Sequence, residues 1–202
     1  MQTSEKITSR EAQRLATRER VFASAVAEFK RSGVANADVS AIVAEAGVAH
    51  GTFFFHFPTK EHVVAELGHR EEVRVAAEIE RFLNAPRDLR ATLMEVIRRS
   101  ESLERRVGTT LFKDLLALYF SPSRPELQLW TDHPLISRIH EEFERTRSAG
   151  GVDADGEVDP DNSAIFFFVG LYALFVTYDR GAERSAVLEQ YVNVLLRGLG
   201  LR

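Results

Sequence analysis

The 202-residue sequence contains no cysteine, and this absence excludes several kinds of site at once. Without thiols the chain cannot form a disulfide framework, a Cys-ligated zinc site or an iron–sulfur cluster, and it cannot use thiol catalysis. Its longest uncharged stretch, residues 162–178, is slightly shorter than the roughly 18 apolar residues of a membrane span. Residues 1–20 carry charges throughout, which argues against a secretory signal. We therefore expect a cytoplasmic protein with no membrane partner.

Motifs that would indicate an enzyme are also missing. The sequence has no Gly-x-x-x-x-Gly-Lys, no Gly-x-Ser-x-Gly and no His-Glu-x-x-His. Glu66-x-x-His69 matches half of the ligand set of a di-iron bundle, but the second half is absent. His133 and His140 could share a helix face, yet they have no third ligand nearby in the sequence. We expect no catalytic residues, no metal site, no cofactor and no enzymatic activity.

Charge is distributed unevenly along the chain. The net charge is −4, but residues 1–60 contain eight Lys/Arg against six Asp/Glu, so the acidic excess lies in residues 61–202. Four of the six histidines fall between residues 50 and 69. A mildly basic N-terminal segment on an acidic body is compatible with nucleic-acid binding at one end, and equally with an ordinary solvated surface.

The hydrophobic pattern is helical throughout. Phe22, Ala25, Val26 and Phe29 follow the i, i+3, i+4, i+7 spacing of one helix face, and no run alternates like a strand. Together with a content of 45% hydrophobic and 28% charged residues, this predicts an all-α globular protein of about nine helices. The last two helices are expected at 161–180 and 184–199. A loop is expected before them at 150–160, because this segment is acidic and contains glycine.

Residues 38–57 predict a helix-turn-helix. Asp38 can cap the first of its helices and Gly47 allows the sharp turn that follows. Phe53 and Phe57, four residues apart, are expected to pack the second helix against the first. Glycine-turn hairpins are common in all-α proteins, so this spacing leaves a structural role and a DNA-binding role both open.

The same segment carries a resemblance to a known family. Residues 47–61 read Gly-Val-Ala-His-Gly-Thr-Phe-Phe-Phe-His-Phe-Pro-Thr-Lys-Glu, and the upstream patterns Ala25-x-x-x-Phe29-x-x-x-Gly33 and Val39-x-x-Ile42-x-x-x-Ala46 are in register with that run. Over residues 17 to about 70 the chain resembles the tetracycline-repressor (TetR) family of bacterial transcriptional regulators. The resemblance implies a three-helix DNA-binding domain at 14–74 and a helical ligand-binding and dimerisation domain at 75–202.

The resemblance also implies which residues contact DNA. The expected DNA-binding residues are Ala49, His50, Gly51, Thr52, Phe54, Phe55, His56 and Lys60. Thr52 stands where the family has a Thr that touches a base or phosphate, and Lys60 stands at a phosphate-contacting position. The chain departs from the family at four positions: His50 replaces a Lys, Ala37 replaces a Thr or Ser, and Phe54 and His56 replace two tyrosines.

The chemistry of these side chains is compatible with that role. His50 and His56 can donate to phosphate or to a guanine edge, and Phe55, if it is exposed, offers an apolar face to thymine methyl groups. Phe53 and Phe57 are expected in the core, and Phe54 either there or at the surface. The basic residues Arg10, Arg14, Arg18 and Arg20 either follow the DNA backbone or are simply solvated.

The C-terminal part is rich in aromatic residues, among them Trp130. Most are expected in the core, but the TetR family binds small effectors between its C-terminal helices. Tyr119, His140, Phe143 and Tyr172 are the residues that we expect to contact an apolar or aromatic effector. The helices at 161–180 and 184–199 carry more apolar residues than one subunit can bury; the last of them is Leu199. Two such helices from each of two chains predict a four-helix homodimer interface.

These expectations combine into one functional hypothesis. The protein would be a ligand-responsive regulator, a repressor that binds a palindromic operator in double-stranded DNA as a dimer and is released by a small-molecule effector. The alternative is a helical dimeric ligand-carrier or interaction protein whose helix-turn-helix is purely structural.

Overall fold

The computed structural model describes residues 9–122, 125, 133–151, 160–198 and 200, and the regular elements within them are helices. They are α1 (Ser9–Asn36), α2 (Val39–Ala46), α3 (His50–His56), α4 (Lys60–Phe82), α5 (Leu89–Val107), α6 (Thr109–Tyr119), α7 (Pro134–Thr146), α8 (Pro160–Thr177) and α9 (Ala182–Gly198). A π-helical turn, Arg147–Gly151, follows α7. The prediction of an all-α protein with about nine helices is confirmed for these residues.

The last two helices differ slightly in extent from the prediction. α8 ends at Thr177 rather than at residue 180, and α9 begins at Ala182 rather than at residue 184. Trp130, Leu199 and most of the predicted loop at 150–160 lie outside the described residues. Within the described part of the chain, no helix is long and apolar enough to cross a membrane.

The chain divides into two compact units, Met1–Leu67 and Gly68–Arg202. The division falls inside α4, and the domain boundary expected between residues 74 and 75 lies further along the same helix. α4 therefore contributes residues to both units.

In the first unit, α1, α2 and α3 pack around an apolar core. Buried side chains come from every element: Val21, Phe22, Ala25 and Phe29 from α1, Ile42 and Val43 from α2, Phe53 from α3, with Phe57 after it, and Val63 and Val64 from α4. The Phe57 ring lies 6.2 Å from Phe22 and 6.2 Å from Phe53, centroid to centroid. The expectation that Phe53 and Phe57 are core residues is confirmed, because both side chains are excluded from solvent.

Two local signals set the bounds of α2. The Asp38 carboxylate accepts the Ser40 N–H at 2.8 Å, which supplies a partner for one of the free donors of the first helical turn. Gly47 adopts φ 65°, and its N–H and that of Val48 donate to carbonyl oxygens of the last turn, at Ala44 (3.2 Å) and Val43 (3.0 Å). Glycine takes this left-handed conformation cheaply, so the turn between α2 and α3 follows directly from the sequence.

The second unit has its own core, in which one charged pair is fully buried. Phe112 of α6 meets Phe175 of α8 edge to face, with ring centroids 5.3 Å apart. Arg184 of α9 is only 1% exposed; its Nη2 donates to Glu104 Oε2 at 2.6 Å, and its guanidinium lies 4.7 Å from the centre of the Phe175 ring. A buried charge requires such a partner, because leaving it unpaired would cost several kcal/mol. This pair joins α5 to α9.

Candidate nucleic-acid interface

The seven residues of α3 present one face to the core and the other to solvent. Phe53 faces inward and is completely buried. At 100° per residue, the positions opposite Phe53 on the helix are Gly51 and Phe55. Phe55 is 71% exposed, the largest exposed fraction among the bulky apolar side chains that the structure describes. The outer surface of α3 is therefore available for an external partner.

The eight predicted DNA-binding residues lie on α3 or immediately beside it. The exposed ones are Ala49, His50, Gly51, Phe54 and Phe55, and the half-buried ones are Thr52, His56 and Lys60. Phe54, for which the sequence left core and surface both open, is 46% exposed and packs edge-on against Phe53, with ring centroids 5.2 Å apart. The individual roles of these residues in DNA binding remain predictions.

An open groove of about 570 Å³ lies between α3 and the N-terminal turns of α1. Its walls are formed by Thr52, Phe55 and His56 from α3 and by Arg10, Glu11, Gln13, Arg14 and Thr17 from α1. The spacing of residues 10, 13, 14 and 17 is that of one helix face, which is the signal that could have identified Gln13 and Thr17 from the sequence. The groove places two arginines beside the exposed surface of α3.

The four N-terminal arginines occupy different environments. Arg10 and Arg14 line the groove, whereas Arg18 donates from Nη1 to Glu66 Oε1 at 2.7 Å and lies over the Phe57 ring, with its Cζ 4.5 Å from the ring centre. Arg20 is exposed on α1 and does not line the groove. Arg10 and Arg14 are therefore the two that are positioned to reach a phosphate near α3.

His56 lies in a positive environment at the end of α3. Burial lowers the pKa of His56 below its ordinary value, and the nearby charges of Arg18 and Arg14 lower it further. Both effects disfavour the imidazolium, so the ring is predominantly neutral at neutral pH. A bound phosphate would reverse the second effect, because its negative charge favours the protonated ring.

Lys60, at the start of α4, is held by the backbone at the end of α1. Its Nζ donates to the carbonyl oxygen of Ala35 at 3.0 Å and to that of Ala37 at 3.4 Å. Both acceptors are neutral, so they orient the ammonium group without neutralising its charge. The residue thus connects α4 with the α1–α2 turn and keeps a positive charge at that point.

The second unit contains a separate polar cluster among aromatic rings. The Tyr119 ring lies 5.3 Å from Tyr172 and 5.8 Å from His133, and His133 Nδ1 lies 2.6 Å from Glu72 Oε2. Burial raises the pKa of Tyr172 well above its ordinary value, and Tyr119 and Glu72 raise it further, so the hydroxyl stays protonated. This cluster combines aromatic walls with a few polar groups, as sites for small apolar ligands do.

The structure places the four predicted effector residues in two groups. Tyr119 and Tyr172 are in ring contact, while on α7 Phe143 is buried and His140 is half-buried. Sequence reasoning did not connect Glu72 with His133, because the two are 61 positions apart and Glu72 belongs to a charged part of α4. No group of three or more potential metal ligands occurs in the part of the chain that the structure describes.

Comparison with known proteins decides the family. Residues 21–67 match the family model described as bacterial regulatory proteins, tetR family. The N-terminal unit is a tetR-family domain. The resemblance that the motifs indicated is confirmed, and the matched segment contains the whole of α2 and α3. A search of curated protein sequences finds no match.

Solved structures similar to this chain extend the likeness beyond that domain. FadR from Thermus thermophilus, a TetR-family transcriptional repressor in complex with lauroyl-CoA, is 23% identical with a TM-score of 0.73, over 92% of this chain and 96% of that one. FadR from Bacillus subtilis, in complex with stearoyl-CoA, is 17% identical with a TM-score of 0.64, over 89% and 98%. RolR in complex with resorcinol is 17% identical with a TM-score of 0.67, over 95% and 91%. The chain therefore has the fold of a tetR-family transcriptional regulator along most of its length.

Within this tetR-family domain, the helix-turn-helix is α2 and α3, joined by the Gly47 turn. The departures noted from the sequence have clear structural consequences. Ala37 is buried rather than available to a phosphate, and the His50 ring lies 5.6 Å from Phe54. The surface of α3 consequently carries fewer hydroxyl groups and less permanent positive charge than the family pattern implies.

Proposed function

We propose that this protein is a ligand-responsive transcriptional repressor that binds a palindromic operator as a dimer and is released from it by a small apolar or aromatic effector. The observation that carries the proposal is the exposed outer face of α3 beside a groove with two arginines, Arg10 and Arg14. An α-helix fits the major groove of B-DNA, and flanking cations bind the phosphates on either side.

Each part of this surface has a distinct task in the proposed complex. His50, Thr52 and Phe55 face the base edges, where hydrogen bonds and apolar contacts distinguish base pairs. Arg10, Arg14 and Lys60 meet the sugar–phosphate backbone, which positions the protein without reading sequence. Such contacts make binding strongly salt-dependent, since each neutralised phosphate releases counterions.

An apolar strip on the last two helices supports the dimer. On α8, Phe166 is 53% exposed and Val169 and Val176 are exposed on the same face, three and ten positions along; on α9, Val194 is 62% exposed. A row of exposed apolar residues on adjacent helices is typical of an association surface. A second copy of the chain would cover it by a twofold four-helix contact. The two recognition helices would then contact major grooves roughly 34–36 Å apart.

The effector site is proposed at the cluster of Tyr119, Tyr172 and His133 in the second unit. Similar structures hold lauroyl-CoA, stearoyl-CoA and resorcinol, all of which have an apolar or aromatic part. An effector that binds more tightly to the DNA-free form than to the DNA-bound form weakens operator binding. The coupling free energy equals the difference between its two binding free energies and is typically about 1–3 kcal/mol. α4 contributes to both units and is the helical connection through which the two sites can be coupled.

A direct binding experiment tests the DNA-binding role. Duplex DNA from upstream of the protein's own gene is titrated with the dimer at several salt concentrations, with a duplex of the same composition but shuffled sequence as the control. We expect preferential binding to the upstream duplex, weakened by Arg14→Ala and unchanged by Arg20→Ala, since Arg20 does not line the groove. Equal and weak binding to both duplexes would contradict the proposal.

One observation favours the alternative function. Arg18 and Lys60, two cations of the first unit, are already engaged within the chain, with Glu66 and with backbone carbonyls respectively. A helical dimeric ligand-carrier or interaction protein with a purely structural helix-turn-helix would use such contacts for stability alone. It would bind the effector, form the dimer and show no preference for any duplex in the same titration.

A further inference from the structure

The most outward-facing positions of α3 are occupied by one glycine and one phenylalanine. Gly51 and Phe55 are one helical turn apart and lie opposite the buried Phe53. A Cβ added at Gly51 would meet no atom within 4 Å, so the space around this position is open. Phe55 is therefore the side chain that a partner approaching α3 from this side would meet first.

The ring of Phe55 is exposed and contacts one neighbouring ring. It lies edge to face with His56, with ring centroids 5.0 Å apart and planes at 76°. An aromatic ring that is 71% exposed forfeits much of the free energy that its burial would provide. A partner that buries this ring recovers that free energy. Together with the exposed Phe54, Phe55 gives α3 an apolar outer surface of the kind that marks interaction sites.

A phenyl ring can read only one feature of the major groove. It has no hydrogen-bond donor or acceptor, whereas nearly every group that base pairs expose there is a donor or an acceptor. The exception is the methyl group at C5 of thymine. Cytosine carries hydrogen at the same place, and 5-methylcytosine carries the same methyl group.

Resting on the DNA-binding role proposed above, we infer that Phe55 is a specificity-determining residue that recognises the C5-methyl group of a pyrimidine in each operator half-site. Gly51 allows the ring close access to the base edge, because it adds no side chain on the same side of α3. The protein would then discriminate thymine from uracil, and 5-methylcytosine from cytosine, although each pair has identical hydrogen-bonding edges. Methylation of a cytosine placed opposite Phe55 would strengthen binding.

The test begins with a selection from double-stranded DNA of random sequence. Each thymine of the enriched site is then replaced in turn by deoxyuridine, and affinities are measured by fluorescence anisotropy at fixed salt. At one position per half-site we expect removal of the methyl group to weaken binding about fourfold, and removal from both half-sites about fifteenfold, as the transfer free energy of one buried methyl group predicts. At that same position, 5-methylcytosine should bind about fourfold better than cytosine.

Two variants assign the effect to Phe55. Phe55→Ala should bind thymine- and uracil-containing sites equally, and Phe55→Leu, which keeps an apolar side chain, should retain part of the discrimination. Phe120→Ala is the matched control, because Phe120 is also an exposed phenylalanine but belongs to the second unit, and it should discriminate like the unmodified protein. Circular dichroism confirms that each variant is folded.

The possible failures are distinguishable. If no sequence is enriched, the DNA-binding function itself is wrong, and this inference falls with it. If a site is enriched but no thymine-to-uracil replacement affects its affinity, the function stands and methyl recognition is overturned. Discrimination that persists unchanged in Phe55→Ala would place the methyl contact on another residue and overturn the assignment to Phe55.

Discussion

The hydroxyl of Tyr191 on α9 lies directly over Gly170 on α8, so close that a Cβ at residue 170 would be 2.4 Å from it. The same hydroxyl donates to the carbonyl oxygens of Phe166 at 2.8 Å and Phe167 at 3.0 Å. The phenol can reach the α8 backbone only because residue 170 has no side chain. This contact sets the spacing and register of the two helices that carry the exposed apolar strip.

Gly170→Ala should therefore weaken the proposed dimer as well as destabilise the fold. The added methyl group must displace Tyr191, and overpacking of this kind destabilises by about 1–3 kcal/mol. Thermal unfolding and sedimentation equilibrium measure the two effects. Gly198→Ala is the matched control, since a Cβ there meets nothing within 4 Å. If the two variants behave alike, the Gly170–Tyr191 contact is not what positions the dimer surface.

Removing one partner of the buried pair Glu104–Arg184 should destabilise the second unit strongly. Arg184→Met leaves Glu104 buried without its main partner, at a cost of about 3–5 kcal/mol in chemical unfolding at pH 7. Arg180→Met is the control, because Arg180 is half-exposed and lies 3.6 Å from the same carboxylate. A loss no larger than that of the control would show that the pair contributes little.

Acid should remove the contribution of this pair. Burial opposes ionisation of Glu104, but hydrogen bonds and charge from Arg184, with Arg180 and Thr109, still hold the pKa of Glu104 below its ordinary value. A depressed carboxyl pKa contributes stability that is present above the unfolded-state value and is lost as the pH falls through the folded-state value. Between pH 6 and pH 3, unfolding experiments should show a smaller pH dependence for Arg184→Met than for the unmodified protein. Parallel pH profiles would contradict this.

DNA binding should strengthen as the pH falls towards 6, provided that His56 meets a phosphate. The pKa of His56 is lowered in the free protein by burial and by Arg18 and Arg14, so binding must take up a proton to gain the charge–phosphate attraction. One such contact is worth about 1 kcal/mol, or roughly fivefold in affinity. His56→Gln should flatten the profile, whereas His69→Gln, an exposed residue outside the groove, should not. An unchanged profile in His56→Gln would exclude the contact.

Lys60→Ala should weaken binding to all sequences alike and reduce the slope of affinity against salt by about one phosphate contact. Thr52→Val, in contrast, should alter base preference while leaving the salt slope unchanged. Lys30→Ala, an exposed lysine on α1 away from the groove, serves as the charge control. If Lys60→Ala changed base preference instead, Lys60 and Thr52 would have exchanged their proposed roles.

Effector and operator should weaken each other's binding by the same factor. Calorimetric titration of lauroyl-CoA or resorcinol, with and without operator DNA, should give affinities that differ about 5- to 150-fold. Tyr172→Phe removes one hydroxyl from the proposed site and should lower effector affinity without changing operator affinity. Equal effector affinities in both titrations would leave a DNA-binding protein without an effector switch.

Local signals in the sequence were sufficient for the helices and for the helix-turn-helix. Asp38 marks the start of α2 and Gly47 marks its end. Both signals can be read from the sequence, because an N-cap carboxylate and a left-handed glycine contact only backbone groups a few residues away. Burial of Phe53 and Phe57 also follows from their spacing, because residues four apart share one helix face. The family could also be recognised from local sequence, because the residues that indicate it form one short run that begins at Gly47.

Only the tertiary structure showed which side chains of different helices contact one another. Lys60 donates a hydrogen bond to the carbonyl oxygen of Ala35. Arg18 pairs with Glu66, and His133 pairs with Glu72. In each case the partners are 25 or more positions apart in the sequence. No periodicity encodes such pairs, because their formation depends on how whole helices pack rather than on the order of neighbouring residues. Exposure of Phe54 was undecided for the same reason: three consecutive phenylalanines look equally apolar in sequence, and the packing of α3 buries only Phe53 among them.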